Sequence, residues 1–248
     1  MAYKEIFDLT ESSAPSLTDY TFNGYDPSGV PVLRRTTWQT IRNLFLGTGS
    51  ADGDFTIYNG TTWVKKTLAE TKIKLGMTDI GGVAHKQLWI ANWKPTLTSG
   101  CGEPEQIEMG TNDTVFDYLA FDASTIEYAY ANVPMPDDYS GGTIYAKFYW
   151  THPAATAFKV SWGLQAVAIS NDDAMDVAQG TAIYSNDEGG TTTDLYISPL
   201  TAAITIAGTP AAGDLVQFRA SRKADDATND TLDVDAYLIG AMVYYPVG

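Results

Sequence analysis

From residue 88 onward, apolar and polar positions alternate with a period of two. Ile144, Ala146, Phe148 and Trp150 share one face of a predicted strand, with Tyr145, Lys147 and Tyr149 opposite. Val160, Trp162, Leu164, Ala166 and Ala168 repeat the pattern, as do Val234, Ala236, Leu238, Gly240, Met242 and Tyr244 near the end. The pattern predicts strands over 88–93, 115–121, 126–133, 143–151, 158–170, 194–198, 203–207, 214–222 and 234–245. One buried face per strand over such lengths fits two packed antiparallel sheets, a jelly-roll-like β-sandwich.

The first 90 residues read differently. Residues 1–35 hold turn formers (Pro15, Asn23-Gly24, Asp26-Pro27, Pro31) and little periodicity, so they predict an extended arm with short strand pieces around Tyr20-Thr21-Phe22. Thr37 is a capping residue before Trp38, Ile41, Leu44 and Phe45, which fall on one face of a short helix ended by Gly47. Phe55–Tyr58 and Thr62-Trp63-Val64 flank Asn59-Gly60, the strongest two-residue turn signal, and predict a hairpin. Thr67-Leu68-Ala69-Glu70 is a capping box opening a second short helix through Ile73 and Leu75 to Gly76. Residues 76–87 read as a linker with a Gly81-Gly82 hinge. The expected organisation is an arm with a helix over 1–50, hairpin and helix over 51–80, a linker over 81–90 and the sandwich over 91–248. The fold class is mainly β.

Charge sharpens this division. The 248-residue chain carries a net charge of −15. Residues 1–90 hold 9 Lys+Arg and 9 Asp+Glu, whereas residues 91–248 hold 6 and 21. An acidic head repels phosphate backbones, which argues against nucleic acid, and it favours solubility. The neutral first part is better suited to docking on other proteins. No apolar run reaches the length of a membrane span, and the start, MAYKEIFDLTESS, lacks the basic and apolar regions of a secretory signal. The expectation is a soluble chain made in a cytoplasm, without membrane insertion. The single Cys101 excludes an intrachain disulfide.

The segment FTIYNGTTWVKKTLAETKIKLGM resembles a recurrent element of bacteriophage tail-fibre and head-fibre proteins, a Y-(D/N)-G-T-x-W-V hairpin leading into a T-x-A-E helix that ends in L-G. The matching residues are Tyr58, Asn59, Gly60, Thr61, Trp63, Val64, Thr67, Ala69, Glu70, Leu75 and Gly76. The last ~150 residues resemble the jelly-roll-like end domain of such fibres and spikes, through segments such as Val133–Gly142, Gly213–Val216 and Arg219–Asp226. The resemblance implies a virion structural protein, a homotrimer anchored to other virion proteins by its N-terminal region and displaying the head for host attachment. Three copies packing through Trp38, Ile41, Leu44, Phe45, Trp63, Leu68 and Leu75 would supply the apolar burial one copy lacks. The alternative is a carbohydrate-binding module or a glycan-degrading fibre-tip enzyme.

Candidate chemistry is sparse. Tyr145, Tyr149, Tyr184, Tyr196 and Tyr237 fall on faces or loops opposite the predicted core, where they either stack on a host-surface glycan or cover the sheet and a subunit interface. Asn171-Asp172-Asp173…Asp176 and the acids from Asp225 to Asp235 offer hard oxygen ligands without the spacing of a calcium loop, so solvated loops are expected and no metal or cofactor is assigned. Arg219, Arg222 and Lys223 stand beside Asp225 and Asp226, in position for structural pairing or, less favoured in so acidic a head, for an acidic glycan. His85, His152 and Cys101 have no nucleophile context. Glycan hydrolysis needs two facing carboxylates, to which no motif points. The expected protein is not an enzyme.

Overall fold

The computed structural model describes residues 77–153 and 158–247, together with the backbone of four earlier strands. Those four form two antiparallel pairs, β1 (Thr21–Tyr25) with β2 (Pro31–Arg35) and β3 (Phe55–Tyr58) with β4 (Trp63–Lys66). The predicted hairpin is present. Its register pairs Tyr58 with Trp63, and the Asn59-Gly60 turn lies outside the described residues. Both predicted helices lie outside the described residues, and with them Trp38, Ile41, Leu44, Phe45, Leu68 and Leu75. Residues 1–75 and 76–248 make separate compact units.

The second unit begins where a linker was expected. β5 (Thr78–Ile80) and β6 (Val83–Ile90) form a hairpin closed by Gly81 and Gly82, whose φ angles are 61° and 83°. A two-residue turn that follows the twist of its strands needs both residues in the left-handed region, which glycine enters without steric cost. The Gly-Gly pair is thus a turn and not a hinge.

The remaining strands are β7 (Lys94–Pro95), β8 (Glu105–Glu108), β9 (Val115–Phe121), β10 (Glu127–Pro134), β11 (Tyr145–Thr151), β12 (Phe158–Ile169), β13 (Ile183–Gly189), β14 (Tyr196–Ile197), β15 (Leu215–Arg222) and β16 (Ala236–Pro246). One sheet has the order β13-β12-β15-β10-β7. The other runs β14-β11-β16-β6-β5, with β9 also beside β16 and β8 beside β9. From β10 onward most successive strands change sheet, the winding of a jelly-roll-like sandwich. The predicted strand over 203–207 makes only isolated bridges, Ile204 to Ile144 and Ala207 to Val167.

The core lies between the sheets, where the alternation placed it. Ile144, Ala146, Phe148 and Trp150 from one sheet meet Val160, Trp162, Leu164 and Ala166 from the other, all fully buried. Trp162 stacks on Phe148 at 5.9 Å and takes the edge of Phe121 at 5.2 Å. In β16 the simple alternation fails. Tyr149 pairs with Gly240 but Trp150 pairs with Leu238, so Ile239 is an extra residue in the ladder. This bulge reverses the faces beyond it. Ala241, Val243 and Tyr245 enter the core, while Gly240, Met242 and Tyr244, expected inside, belong to the outer face.

A buried ion pair fastens the loop between β15 and β16. Arg222 and Asp230 are both almost fully buried, with Nη2 2.8 Å from Oδ1. Nε donates to Asp230, Nη1 to the carbonyls of Phe121 (3.1 Å) and Val234 (2.8 Å), and Nη2 also to that of Leu232. All five guanidinium N–H groups therefore have acceptors. The Ser161 amide donates to Asp230 Oδ2 at 3.1 Å. Asp230 is thus not the solvated loop residue the sequence predicted.

Cys101 is buried next to β10, its amide bonded to the Tyr128 carbonyl. Burial first, then the nearby Glu127 charge, pushes its thiol up to about 12. The thiolate is the reactive form, so alkylation by iodoacetamide at pH 8 is expected to be slowed about a hundredfold or more in the folded protein relative to the urea-unfolded chain. Equal labelling rates, followed by mass spectrometry, would contradict this burial.

Candidate functional site

The outer face of the five-stranded sheet gathers polar and aromatic side chains in three rows. Register defines them. Tyr184, Gly163, Ser221 and Tyr128 lie side by side across β13, β12, β15 and β10. Gln165, Arg219, Tyr130 and Lys94 form the next row across β12, β15, β10 and β7. Val167, Gln217 and Asn132 form the third. Each residue alternates with a core residue of its strand, which is why all of them face outward.

The middle of the first row is low. A Cβ on Gly163 would come within 2.5 Å of the Tyr184 ring and 2.9 Å of Ser221 Oγ. Glycine therefore lets the Tyr184 ring lie down across the sheet. Ser221 and Gln165 are buried although they face outward, so they form a floor. Tyr184, Tyr128, Tyr130 and Arg219 are half-buried around it. Tyr184 and Tyr128 are three strand spacings apart, roughly 14 Å.

The polar groups are held in place. The Arg219 guanidinium stacks on Tyr128, 4.6 Å from the ring centroid. With the Gln165 amide assigned so that its oxygen faces the Arg219 donors, that oxygen accepts from Nε at 3.2 Å and from Nη2 at 2.6 Å. Gln179 Nε2 donates to Gln217 Oε1 at 2.9 Å, and Gln217 Nε2 donates to Asn132 Oδ1 at 3.2 Å. Lys223 Nζ stands 5.5 Å from the centre of the Tyr184 ring. The result is a fixed, shallow surface of aromatic rings and planar hydrogen-bonding groups.

The five tyrosines singled out from sequence do not form one site. Only Tyr184 belongs to this patch. Tyr145, Tyr149 and Tyr237 lie on the outer face of the seven-stranded sheet. There His85 meets Tyr145 edge-on at 5.4 Å, Trp89 meets Tyr149 at 4.9 Å, and Tyr118 stacks on Tyr237 at 4.2 Å. Trp89 lies over Gly240, where a Cβ would approach its ring to 2.5 Å. Tyr196 turns toward Trp150 and His152, and its hydroxyl accepts from the amides of Gly190 and Thr191. Trp63 sits in β4 of the other unit. Tyr128, Tyr130 and Asn132 were missed, although their i, i+2, i+4 spacing opposite Ala129, Ala131 and Val133 marks a shared face. In the acidic loops, Asp226 accepts from the amides of Thr228 and Asn229, and no group of three or more His, Cys, Asp or Glu converges among the described residues.

No protein-family model matches the chain, and no curated protein matches it. Several solved structures are similar at low level. A Clostridium thermocellum xylanase 10B structure holding CBM22-1 and GH10 modules with xylohexaose matches at 11% identity and TM-score 0.38, over 66% of this chain and 28% of that one. The CBM22-2 xylan-binding domain of Paenibacillus barcinonensis Xyn10C matches at 13% identity and TM-score 0.37, over 63% of this chain and 92% of that domain. A family 11 carbohydrate-binding module from Clostridium thermocellum, in complex with a mixed-linked tetrasaccharide, matches at 8% identity and TM-score 0.32, over 80% and 98%. Likeness at this level decides neither the fold nor the ligand of this chain, which rest on its own strands and side chains.

Proposed function

We propose that the sandwich is a carbohydrate-binding head whose binding surface is the outer face of the five-stranded sheet. The observation that carries this reading is the first two rows, where Tyr184 and Tyr128 flank a low floor of Gly163 and Ser221 beside Gln165, Arg219 and Tyr130. Sugar rings present apolar C–H faces that stack on aromatic rings, and hydroxyls that pair with amide and guanidinium groups. A shallow, open surface suits a chain running across the strands. The three rows contain no Asp or Glu, so the patch offers binding without the carboxylate pair that glycoside hydrolysis uses.

Titration against a glycan array tests this. Tyr184→Ala and Tyr128→Ala are each expected to weaken binding on the order of tenfold, ~1.4 kcal/mol, by removing a stacking face. Tyr149→Ala, on the other sheet, leaves affinity unchanged. Absence of binding at millimolar sugar would sink the reading, and loss of binding through Tyr149→Ala would move the site to the seven-stranded sheet.

The setting we infer is a bacteriophage virion, with residues 1–75 as the attached unit and the head displayed as a trimeric fibre or spike. Three features support it. The chain divides into two compact units, and the whole net charge of −15 falls in the displayed part, residues 1–75 summing to zero. On the seven-stranded sheet Trp89 and Ile197 also stay exposed, as residues of a subunit contact would before assembly. Light scattering of the full chain is expected to give three times the 26.8 kDa protomer mass; a monomer at micromolar concentration counts against it.

A further inference from the structure

We infer that the ligand of the five-stranded face is an anionic glycan, one bearing carboxylate groups along its chain; this rests on the carbohydrate-binding reading above. The argument is the distribution of charge. Residues 76–248, the sandwich unit, hold seven basic side chains against 22 acidic ones. Arg222 is consumed inside the fold by Asp230, Lys86 of the seven-stranded sheet pairs with Asp138, and Lys147 lies on that same sheet. The other four, Lys94, Lys159, Arg219 and Lys223, all belong to the outer face of the five-stranded sheet. Four of the six cations that are not buried therefore share this face.

Two of the four are spoken for weakly. Lys159 stands 3.9 Å from Glu188 and Lys223 3.7 Å from Asp226, both at the margin of the three rows. Arg219 and Lys94 share the central row with Gln165 and Tyr130. Among the described residues no carboxylate forms a salt bridge with either. Arg219 is nevertheless fixed, stacked on Tyr128 and held by the Gln165 oxygen. With Nε and Nη2 turned to Gln165, the guanidinium has no carboxylate partner and leaves its Nη1–Nη2 edge to meet a planar anion through two N–H donors. A neutral glycan would need only the hydroxyl-pairing groups and would leave both charges unused. The surrounding acidic surface then acts as a filter, because a polyanion gains only where the four cations are.

The experiment compares carboxylated polymers with uncharged counterparts, using the full chain. Polygalacturonate is titrated against fully methyl-esterified polygalacturonate, and alginate and hyaluronate against neutral glucans and xylan, at low and at 300 mM salt. The expected result is binding roughly tenfold or more tighter to the carboxylated polymers, a preference that shrinks as salt screens it. Arg219→Gln should remove most of that preference. Lys94→Gln, which alters an exposed side chain at the end of the row, should reduce it about threefold without touching the fold. Lys147→Gln serves as the control on the opposite sheet and leaves it unchanged. Equal affinity for charged and uncharged polymers, or binding to neutral glycans alone, overturns the inference and leaves the sugar-binding reading standing. Binding to no glycan overturns both.

Discussion

Replacing Asp230 with asparagine is expected to lower the stability of the head by about 3–5 kcal/mol. The carboxylate sits with Arg222 in a site that water does not reach, both side chains almost fully buried. Asparagine keeps the shape but leaves the guanidinium as an uncompensated buried charge, the situation in which breaking an ion pair costs most. Arg222→Met leaves the opposite charge stranded and orphans the carbonyls of Phe121, Leu232 and Val234 as well. The double variant Arg222→Met/Asp230→Leu is expected to cost less than the more damaging single change, since neither charge remains. Urea unfolding followed by tryptophan fluorescence gives all three values. If Asp230→Asn shifted stability by less than 1 kcal/mol, the pair would have to be solvated in solution.

Trp162→Ala is the second large effect, expected at about 3–5 kcal/mol. Its side chain is fully buried and occupies the centre of the space between the sheets. It touches Phe121 and Phe148, with Trp150 at 6.3 Å, so the cavity left behind is lined by rings too large to collapse into it. Trp162 is also the residue before Gly163. Loosening this stretch of β12 disturbs the seat of the Tyr184 ring, and weaker sugar binding should accompany the lost stability. Trp162→Phe keeps most of the volume and should cost less than half as much. A fall in thermal midpoint no larger than that of a surface change would contradict this placement.

The sandwich was legible wherever strands bury one face. β11 and β12 read correctly because Ile144 to Trp150 and Val160 to Ala166 place a core residue at every second position. β13, with the sequence IYSNDEG, escaped notice. It is an edge strand with Asn186, Asp187 and Glu188 in succession, and its pairing comes from β12, not from its own apolar content. The second half of β16 was assigned to the wrong face because a bulge depends on the neighbouring ladder, and Val234 to Tyr244 gives no sign of the extra residue. Gly81-Gly82 was read as slack for a related reason. Two glycines are equally compatible with a hinge and with a tight turn, and only the partner strands decide.

The site was harder to read than the fold. Tyr184, Gly163, Ser221 and Tyr128 come from four strands, and register alone brings them into one row. Picking tyrosines by their position opposite the core took in Tyr184 of the proposed patch together with Tyr145, Tyr149 and Tyr237 from the other sheet. Arg219, Arg222 and Lys223 lie within five residues yet have three fates, because alternation along β15 and the residue after it points Arg219 and Lys223 outward and Arg222 inward.

The position of β16 governs how the head can come into being. This last strand in the order lies in the middle of the seven-stranded sheet, with β11 on one side and β6 and β9 on the other. Its pairs with β6 join Ile90 to Ala241 and His85 to Pro246, across nearly the whole length of the unit. Contacts so distant in the chain make for slow folding, since a long loop must close before any of them forms. During synthesis β6 emerges early and waits, one edge unpaired, until β16 leaves the ribosome. The dense negative charge of the intervening segment gives the unfinished chain a means of staying apart from its neighbours in the meantime.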